Sequence, residues 1–343
     1  MKNQWSRRKT LKSLGALALY SPALRGGQHN ALELSGATMG TRYRISIQNR
    51  PEEYYLPKLK TRIEHELLLT ELLMSGYRSD SELSRFNLSS DISWQNISPA
   101  TSRVLKESLL VQQQSGGAFN PLAAPLFKFW GFGPNAKANR QKNHSNIPDR
   151  LLADLSTSRI ELKPGFVRKS NPVSGLDLNA IAKGDALDQI ALILEDTNIH
   201  DYLIEVGGEI RVAGEGPGGM GWRIGIDHPF IKKFRMYLKQ GAVATSGDYV
   251  DYYMRGEKRI SHLLDPRHGG PVSHNLSLVT VVGDTAMRAD AWATALYVLG
   301  PDKGWSTALE HSMAALFVLR EGQSFSVVMT PEFQRLRLEY DIV

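Results

Sequence analysis

The alternation of apolar and polar residues predicts a strand early in the chain, and apolar residues at helical spacing predict helices after it. Residues 42–47, RYRISI, place every second side chain on an apolar face, as in a half-buried strand. Helices are predicted at Pro57–Met74 and Ala100–Gln114, and the second is followed by a glycine pair that favours a helix end. A further helix is predicted after Gly184, where apolar residues repeat on one side. These residues are Leu187, Ile190, Ala191 and Leu194.

Later apolar segments predict the fold class. Strand-like runs occur around residues 160–168, 202–212, 222–226, 276–283 and 314–330. They do not alternate with helices in the strict order that a parallel sheet requires. We therefore predict an α+β fold with antiparallel sheets and helices packed on them, rather than a parallel doubly wound sheet.

The composition is that of a globular protein. The 343 residues are 42% hydrophobic and 22% charged, which allows a large core in one domain or in two closely joined ones. The formal net charge is +6, but residues 1–30 hold six basic residues and no acidic one, so the rest of the chain carries 35 of each. That balance gives no support for a nucleic-acid groove. The absence of cysteine excludes disulfides, thiolate metal sites and a cysteine-linked lipid anchor.

Residues 1–27 have the pattern of an export signal. SRRKTLK (6–12) places paired arginines before LGALALYSPAL (14–24), an apolar run too short to span a bilayer comfortably. The pattern resembles a twin-arginine signal, with Thr10 where phenylalanine is more usual; an ordinary secretory signal and an uncleaved basic tail are the alternatives. We therefore expect an exported, periplasmic protein whose folded domain occupies residues 31–343.

Two oxygen-bearing side chains in the stretch 261–300 form a candidate metal site. Asp290 and Thr294 are four residues apart, so on a helix their oxygens lie one turn apart on one face. Such a pair suits a hard cation such as Mg²⁺, which keeps waters or substrate phosphate oxygens as further ligands. An Asp and a Thr at this spacing are also common in helices that bind no metal. His262, in the same stretch, has a suitable pKa for a general base, and a buried structural histidine is the alternative.

A second candidate centre lies at residues 175–188, GLDLNAIAKGDALD, where a helix is predicted to begin. The free N–H groups and the positive dipole at such a junction favour a pyrophosphate group. Tyr77 has an amphipathic ring that suits a flavin or adenine face, although a half-buried surface tyrosine is the alternative. The glycine-rich segment 206–229 contains neither GxGxxG opening a helix nor GxxxxGK[ST], which excludes a Rossmann domain and a P-loop enzyme.

The order of eight sequence blocks resembles the FAD:protein FMN transferase family, also called ApbE. The blocks are TMGT (38–41), GYRSDSELSRFN (76–87), SGGAFNPLAAPLFKFWGFG (115–133), GLDLNAIAKGDALD (175–188), VGGEIRVAG (206–214), ATSGDY (244–249), SHLLDP (261–266) and MRADAWATAL (287–296). The resemblance extends from about Leu34 to Gly300 and implies a T-fold-like architecture, which agrees with the antiparallel α+β prediction.

The resemblance also implies roles for single residues. FAD is expected to contact Met39, Tyr77, Ala118, Phe119, Asn120, Asp177, Lys183 and Leu264. Mg²⁺ is expected to bind Asp290, Thr294 and the backbone carbonyl of Ala180. The sequence departs from the family pattern at Asn120, where Asp is usual, and at residues 122–125, where LAAP replaces TVGP. A role at position 120 that depends on charge would be lost, whereas backbone contacts would survive.

The implied reaction is protein flavinylation. A Thr or Ser hydroxyl of an acceptor protein attacks the FMN-side phosphorus of FAD, AMP leaves, and FMN remains joined through a phosphoester; His262 is the expected base and Mg²⁺ the expected metal. The implied acceptor is a membrane-bound redox subunit in the same compartment, at the outer face of the inner membrane, which is compatible with peripheral membrane association. The alternatives are an FAD pyrophosphatase that yields FMN and AMP, and a non-catalytic FAD-binding protein.

Overall fold

A computed structural model describes residues 31–48, 55–134, 136, 140, 147–226, 228, 234–249, 251–256 and 258–340. The predicted export signal, residues 1–27, lies outside these residues. None of the helices in the described part of the chain combines the length and the apolar character needed to cross a bilayer.

An antiparallel sheet of eight strands forms the centre of the fold. Strands are numbered in chain order. From one edge of the sheet to the other, its strands are β1 (Leu32–Thr38), β2 (Thr41–Ile47), β6 (Tyr202–Val206), β7 (Glu209–Ala213), β10 (Gln240–Gly247), β15 (Leu276–Gly283), β16 (Ala314–Glu321) and β17 (Ser324–Met329). The predicted strand at 42–47 is confirmed as β2, whose alternating side chains pack into the core. The later strand-like runs pair antiparallel, which confirms the predicted fold class.

Helices pack around the central sheet, and the first three, the sixth and the seventh share the main core with it. They are α1 (Leu56–Met74), α2 (Glu82–Leu88), α3 (Pro99–Gln114), α4 (Ala124–Trp130), α5 (Asp149–Thr157), α6 (Ala182–Asp196), α7 (Ala286–Glu310) and α8 (Pro331–Gln334). The two helices predicted first are confirmed as α1 and α3, and each begins one residue earlier than expected. Helix α7 packs on β10 and β15, while α6 packs on β6 and β7, so both lie against the middle of the sheet.

Smaller sheets complete the structure. A three-stranded sheet covers the opposite face of the central sheet and forms a second core with it; its strands are β18 (Arg337–Tyr340), β9 (Phe234–Leu238) and β8 (Trp222–Ile226). A second three-stranded sheet contains β3 (Gln95–Asn96), β5 (Phe166–Lys169) and β4 (Ile160–Lys163). Two hairpins remain, β11–β12 (Tyr252–Arg255, Lys258–Ser261) and β13–β14 (Leu264–Asp265, Gly270–Pro271).

Helices α6 and α7 cross in close contact at Gly184. A Cβ atom at this position would lie 2.3 Å from the carbonyl oxygen of Ala286 and 2.6 Å from the Cα of Met287. The carboxylate of Asp188, one turn further along α6, accepts hydrogen bonds from the N–H groups of Ala286 and Met287, both at 2.9 Å. The start of α7 is therefore held directly against the first turn of α6.

Substitution of this glycine tests how tightly the crossing is packed. We expect Gly184→Ala to destabilise the protein by about 1–3 kcal/mol, because the new methyl group meets backbone atoms that cannot rotate away. Gly270→Ala is the matched control, since nothing lies within 4 Å of a Cβ there. The free energy of unfolding in urea measures both variants. Equal stability of the two would contradict the described crossing.

Candidate active site

A buried cluster of opposite charges lies where α6, α7 and β7 meet. The Lys183 Nζ lies 3.3 Å from Glu209 Oε1 and 3.6 Å from Asp290 Oδ2, and it donates a hydrogen bond of 3.0 Å to the carbonyl of Asn179. Glu209 and Asp290 are both buried. We call Lys183, Glu209 and Asp290 the charged cluster.

Burial determines the electrostatics of the charged cluster. It raises the pKa of Glu209 and of Asp290, because the charged form of a carboxyl group is poorly solvated there, and Lys183 only partly offsets this. Burial opposes the charge of Lys183 as well, but the two neighbouring carboxylates raise its pKa above the usual lysine value. Within the described residues, the buried Glu209 Oε2 has no hydrogen-bond partner. The cluster therefore has acceptor capacity that a further cation would satisfy.

Asp290, one of the three predicted metal ligands, belongs to this cluster. Asp290 and Thr294 are confirmed to lie on one helix, α7, and the Thr294 Oγ1 is 3.0 Å from the Oγ of Ser246. The N–H of Gly184, which in a regular helix would bond the Ala180 carbonyl, donates to Asp290 Oδ2 at 3.4 Å. A carboxylate, a hydroxyl and a carbonyl are the oxygen ligands that Mg²⁺ accepts, so these residues fit the ion.

In the described part of the chain, acidic and histidine side chains do not form a metal site by themselves. Among the described residues, no group of three or more His, Cys, Asp or Glu side chains has an arrangement suited to a metal ion. A site at Asp290 therefore depends on backbone and hydroxyl oxygens, and it leaves coordination positions for water or substrate.

His262 directly follows β12, and its ring has a fixed orientation. The Asp251 carbonyl oxygen lies 2.9 Å from His262 Nδ1 and also accepts the backbone N–H of His262 at 3.1 Å. A carbonyl can only accept, so Nδ1 carries the proton and Nε2 keeps its lone pair. Burial lowers the pKa of His262 below the usual histidine value, which favours this neutral form. His262 thus has the tautomer that a general base requires.

Tyr77 and Asp177 lie close enough to these residues to interact with them electrostatically. The Tyr77 side chain is 65% exposed, yet partial burial of its hydroxyl and the carboxylates of Asp177 and Asp251 raise its pKa. Burial also raises the pKa of Asp177, which Lys183 opposes. The charge of Lys183 also lowers the pKa of His262, although burial has the larger effect. The ion pair between Lys183 and Asp290 joins the two centres that were predicted separately from the sequence.

The segment 118–125 forms a buried wall next to Asp177. Ala118 and Phe119 are buried, and the backbone N–H of Asp177 bonds to the Pro121 carbonyl at 2.8 Å. Ala124, where the family usually has glycine, faces Gly175, and a Cβ at Gly175 would lie 3.3 Å from the Ala124 Cβ. The missing side chain at Gly175 therefore accommodates the extra methyl group of Ala124.

Asn120 has a structural role that needs an oxygen but no charge. Its Oδ1 accepts hydrogen bonds from the side chain of Gln112 and from the N–H of Leu122, both at 2.9 Å. An aspartate would accept the same two bonds, which explains how Asn replaces the residue more usual in the family without rearranging the segment.

Two substitutions of Asn120 are expected to change the stability of the protein by different amounts. Asn120→Ala leaves the two donors without a partner and is expected to cost about 1–3 kcal/mol of stability. Asn120→Asp keeps the acceptor and is expected to stay within about 1 kcal/mol of the wild type. Thermal unfolding of the wild type and the two variants measures their order of stability. An alanine variant as stable as the wild type would show that these hydrogen bonds are unimportant.

The two remaining predicted contact residues lie at other positions in the fold. Met39 occupies the turn between β1 and β2 with a positive φ of 46°, and its N–H donates to Glu71 Oε1 at 2.6 Å. Leu264, in β13, is buried in a cluster with Trp130 and Phe132, behind the ring of His262. Their contacts with FAD stay predictions.

Sequence reasoning missed three residues of the site. Glu209 follows the turn glycines 207 and 208, and a charged residue at the start of a buried strand was the available signal. Asp251 acts through its backbone carbonyl, which no sequence pattern reveals. Arg140, whose Nη2 lies 3.7 Å from the Asp251 carboxylate, is part of a polar run and was not distinguished from its neighbours.

Comparison with known proteins gives consistent matches over most of the chain. The ApbE family model matches residues 39–317. The FAD:protein FMN transferase of Escherichia coli K12 is 33% identical over 309 residues, 88% of each chain, and that of Vibrio cholerae is 32% identical over 331 residues, 95% of this chain and 98% of the relative.

Solved structures agree with the sequence comparison. The flavin transferase ApbE from Vibrio cholerae has a TM-score of 0.80 at 32% identity and covers 89% of this chain and 99% of its own. The Pseudomonas stutzeri flavinyl transferase ApbE, in its apo form, has a TM-score of 0.81 at 32% identity, over 90% of this chain and 96% of its own.

Proposed function

The chain belongs to the ApbE family, and on that premise we propose that it transfers FMN from FAD to a Thr or Ser hydroxyl of an acceptor protein and releases AMP. The observation that carries the proposal is the fixed ring of His262, whose Nδ1 is held by the Asp251 carbonyl while Nε2 keeps its lone pair. The positive charge of Lys183 contributes to lowering the pKa of His262, which supports placing this base near the charged cluster.

The residues of the chain have distinct tasks in this reaction. His262 Nε2 takes the proton of the acceptor hydroxyl while that oxygen attacks the FMN-side phosphorus, and the phosphoanhydride bond breaks so that AMP leaves with the electron pair. The N-terminal end of α6 would contribute the positive end of its helix dipole to the pyrophosphate. Lys183 supplies positive charge beside it.

Mg²⁺ is proposed as the metal of this site. Ala180, Asp290 and Thr294 would hold it through a carbonyl, a carboxylate and a hydroxyl oxygen. When bound, Mg²⁺ supplies charge neutralisation at the phosphate oxygens. The unpartnered Glu209 Oε2 and the raised pKa of the buried Asp290 support a cation at this position.

The pH dependence of the rate follows from the environment of His262. Burial lowers its pKa, and the base works only when neutral, so the rate is expected to be lost as the pH falls through this lowered pKa. The acid limb of the kcat/KM profile, which reports the free enzyme, should therefore have its midpoint below about 6.5, the ordinary histidine value. AMP release measured between pH 4.5 and 8 in steps of about half a unit checks this; a midpoint clearly above the ordinary value would contradict the assignment.

Intact mass of an acceptor tests the proposed function directly. A recombinant domain of a membrane redox subunit is incubated with the protein, FAD and Mg²⁺, and AMP is followed in parallel. An increase in acceptor mass equal to FMN, absent with EDTA, supports the transferase. AMP and free FMN without an adduct would indicate hydrolysis, and no AMP at all would indicate a protein that only binds FAD.

We also propose that the reaction takes place in the periplasm, on a redox subunit anchored in the inner membrane. The paired arginines and short apolar run of residues 6–24 support export of the chain. Fractionation of cells that produce the full chain tests this. Arg7→Lys and Arg8→Lys together should retain the protein in the cytoplasm if the twin-arginine interpretation is correct, and continued export would overturn it.

A further inference from the structure

Arg140 makes several contacts next to the candidate base. Its Nε donates to the Gly131 carbonyl at 2.8 Å, and its guanidinium carbon lies 5.2 Å from the ring centre of Phe132 and 4.8 Å from that of Tyr253. Its Nη2 is 3.7 Å from the Asp251 carboxylate. One side chain therefore links the end of α4 to the start of the β11–β12 hairpin.

Both segments that Arg140 links touch His262. The ring of Phe132 meets the imidazole edge to face, with centres 6.4 Å apart. The Asp251 carbonyl accepts from His262 Nδ1 and fixes the tautomer. Any movement of the Phe132 segment relative to the Asp251 segment would therefore rotate or release the imidazole.

The geometry at Gly131 shows that the packing of Arg140 is close. Gly131 has a positive φ of 76°, and a Cβ there would lie 2.5 Å from the Arg140 Cγ and 2.9 Å from its backbone nitrogen. A single exposed ion pair contributes little. Here the ion pair to Asp251 is combined with a hydrogen bond and two cation–π contacts, which together hold the side chain in place.

We propose that Arg140 is a positioning residue for His262: it fixes Phe132 and the Asp251 carbonyl on two sides of the imidazole and so keeps Nε2 directed at the reacting hydroxyl. The inference rests on the proposed function for its catalytic consequence. Arg140 acts through other residues, because its Nε and Nη2 are already engaged within the protein and its guanidinium lies over the rings of Phe132 and Tyr253.

Steady-state kinetics of three variants test this role. Arg140→Ala should lower kcat about 10- to 100-fold through loss of base alignment, while KM for FAD changes less than about 3-fold. Arg140→Lys should recover part of kcat, because it keeps a cation over the rings. The matched control is Arg168→Ala: Arg168 also pairs with one carboxylate, Glu161 at 2.7 Å, and stacks on one ring, Trp94 at 4.7 Å, but lies on β5. It should behave as wild type.

The ring nitrogens of His262 give a readout that needs no turnover. In ¹⁵N spectra of the full chain, the wild type should show the Nδ1-protonated tautomer, and Arg140→Ala should show a mixture of tautomers. Thermal melts show whether each variant is folded. If Arg140→Ala is not folded, Arg140→Lys takes its place in the ring spectra.

The outcomes separate the two proposals. If the wild type forms no adduct and no AMP, the proposed function fails, and the ring spectra still decide the role of Arg140. An unchanged His262 tautomer in Arg140→Ala, or a wild-type kcat, would overturn the inference. A raised KM for FAD at unchanged kcat would also overturn it, because Arg140 would then bind substrate instead of positioning the base.

Discussion

His262→Ala is expected to slow FMN transfer by about 10²- to 10⁴-fold, the usual contribution of a positioned general base. The variant removes Nε2, the unprotonated ring nitrogen, which is held in place by the bond from Nδ1 to the Asp251 carbonyl. FAD binding should change little, since the residues expected to bind the pyrophosphate belong to α6 and not to the hairpin. The rate of adduct formation by intact mass, and FAD affinity by flavin fluorescence, measure the two effects separately.

A second histidine in the same block provides the control for this prediction. His268 lies six residues further on, with 81% of its side chain exposed and only a 4.0 Å approach to Asp265. His268→Ala should therefore keep the wild-type rate. A His262→Ala variant that transfers FMN as fast as the His268→Ala variant would remove His262 from the mechanism and leave the acceptor hydroxyl without a base.

The sequence was sufficient to predict the local structure of the fold. The alternating residues of β2 and the apolar spacing of α1, α3 and α6 are set by neighbours in the chain, and all four elements lie where the pattern placed them. The positions of Asp290 and Thr294 on one helix face were predictable for the same reason. Periodicity reports contacts between near neighbours, which explains this success.

The charged cluster could not be predicted in the same way. Lys183, Glu209 and Asp290 are far apart in the chain and meet only because α6 and α7 cross against the central sheet at Gly184. The orientation of His262 likewise depends on a carbonyl eleven residues away, across the β11–β12 hairpin. Backbone groups have no signature in the sequence, and the partner of a buried charge depends on topology.

The charge balance of the cluster explains why Lys183 and a metal can share one site. Lys183 offsets part of the negative charge of Glu209 and Asp290, and its ammonium group lies 3.6 Å from the Asp290 oxygen that also accepts from Gly184. Two carboxylates and one ammonium leave a negative balance when both acids are ionised. A divalent cation and the pyrophosphate of FAD carry opposite charges that cancel, so binding both together would add no net charge to the site.

Asp290→Asn is expected to lower FMN transfer by about 10²- to 10³-fold at ordinary Mg²⁺ concentrations, the equivalent of roughly 3–4 kcal/mol of lost charge stabilisation. The amide has the same size and can still accept the Gly184 N–H, so the change removes charge and keeps shape. Activity measured against Mg²⁺ concentration should show a strongly raised requirement. Asp284→Asn, an exposed acid before α7, is the matched control and should follow the wild-type curve.

The free energy of unfolding measured without metal distinguishes the loss of a metal ligand from damage to the fold. Asp290→Asn leaves Lys183 paired with Glu209 at 3.3 Å and removes a carboxylate that is costly to bury, so its free energy of unfolding in EDTA should stay within about 1 kcal/mol of the wild type. The wild type should gain stability when Mg²⁺ is added, and the variant should gain much less. A variant that is strongly destabilised in EDTA would show that Asp290 is needed for the α6–α7 packing, and a variant with an unchanged Mg²⁺ requirement would exclude it as a ligand.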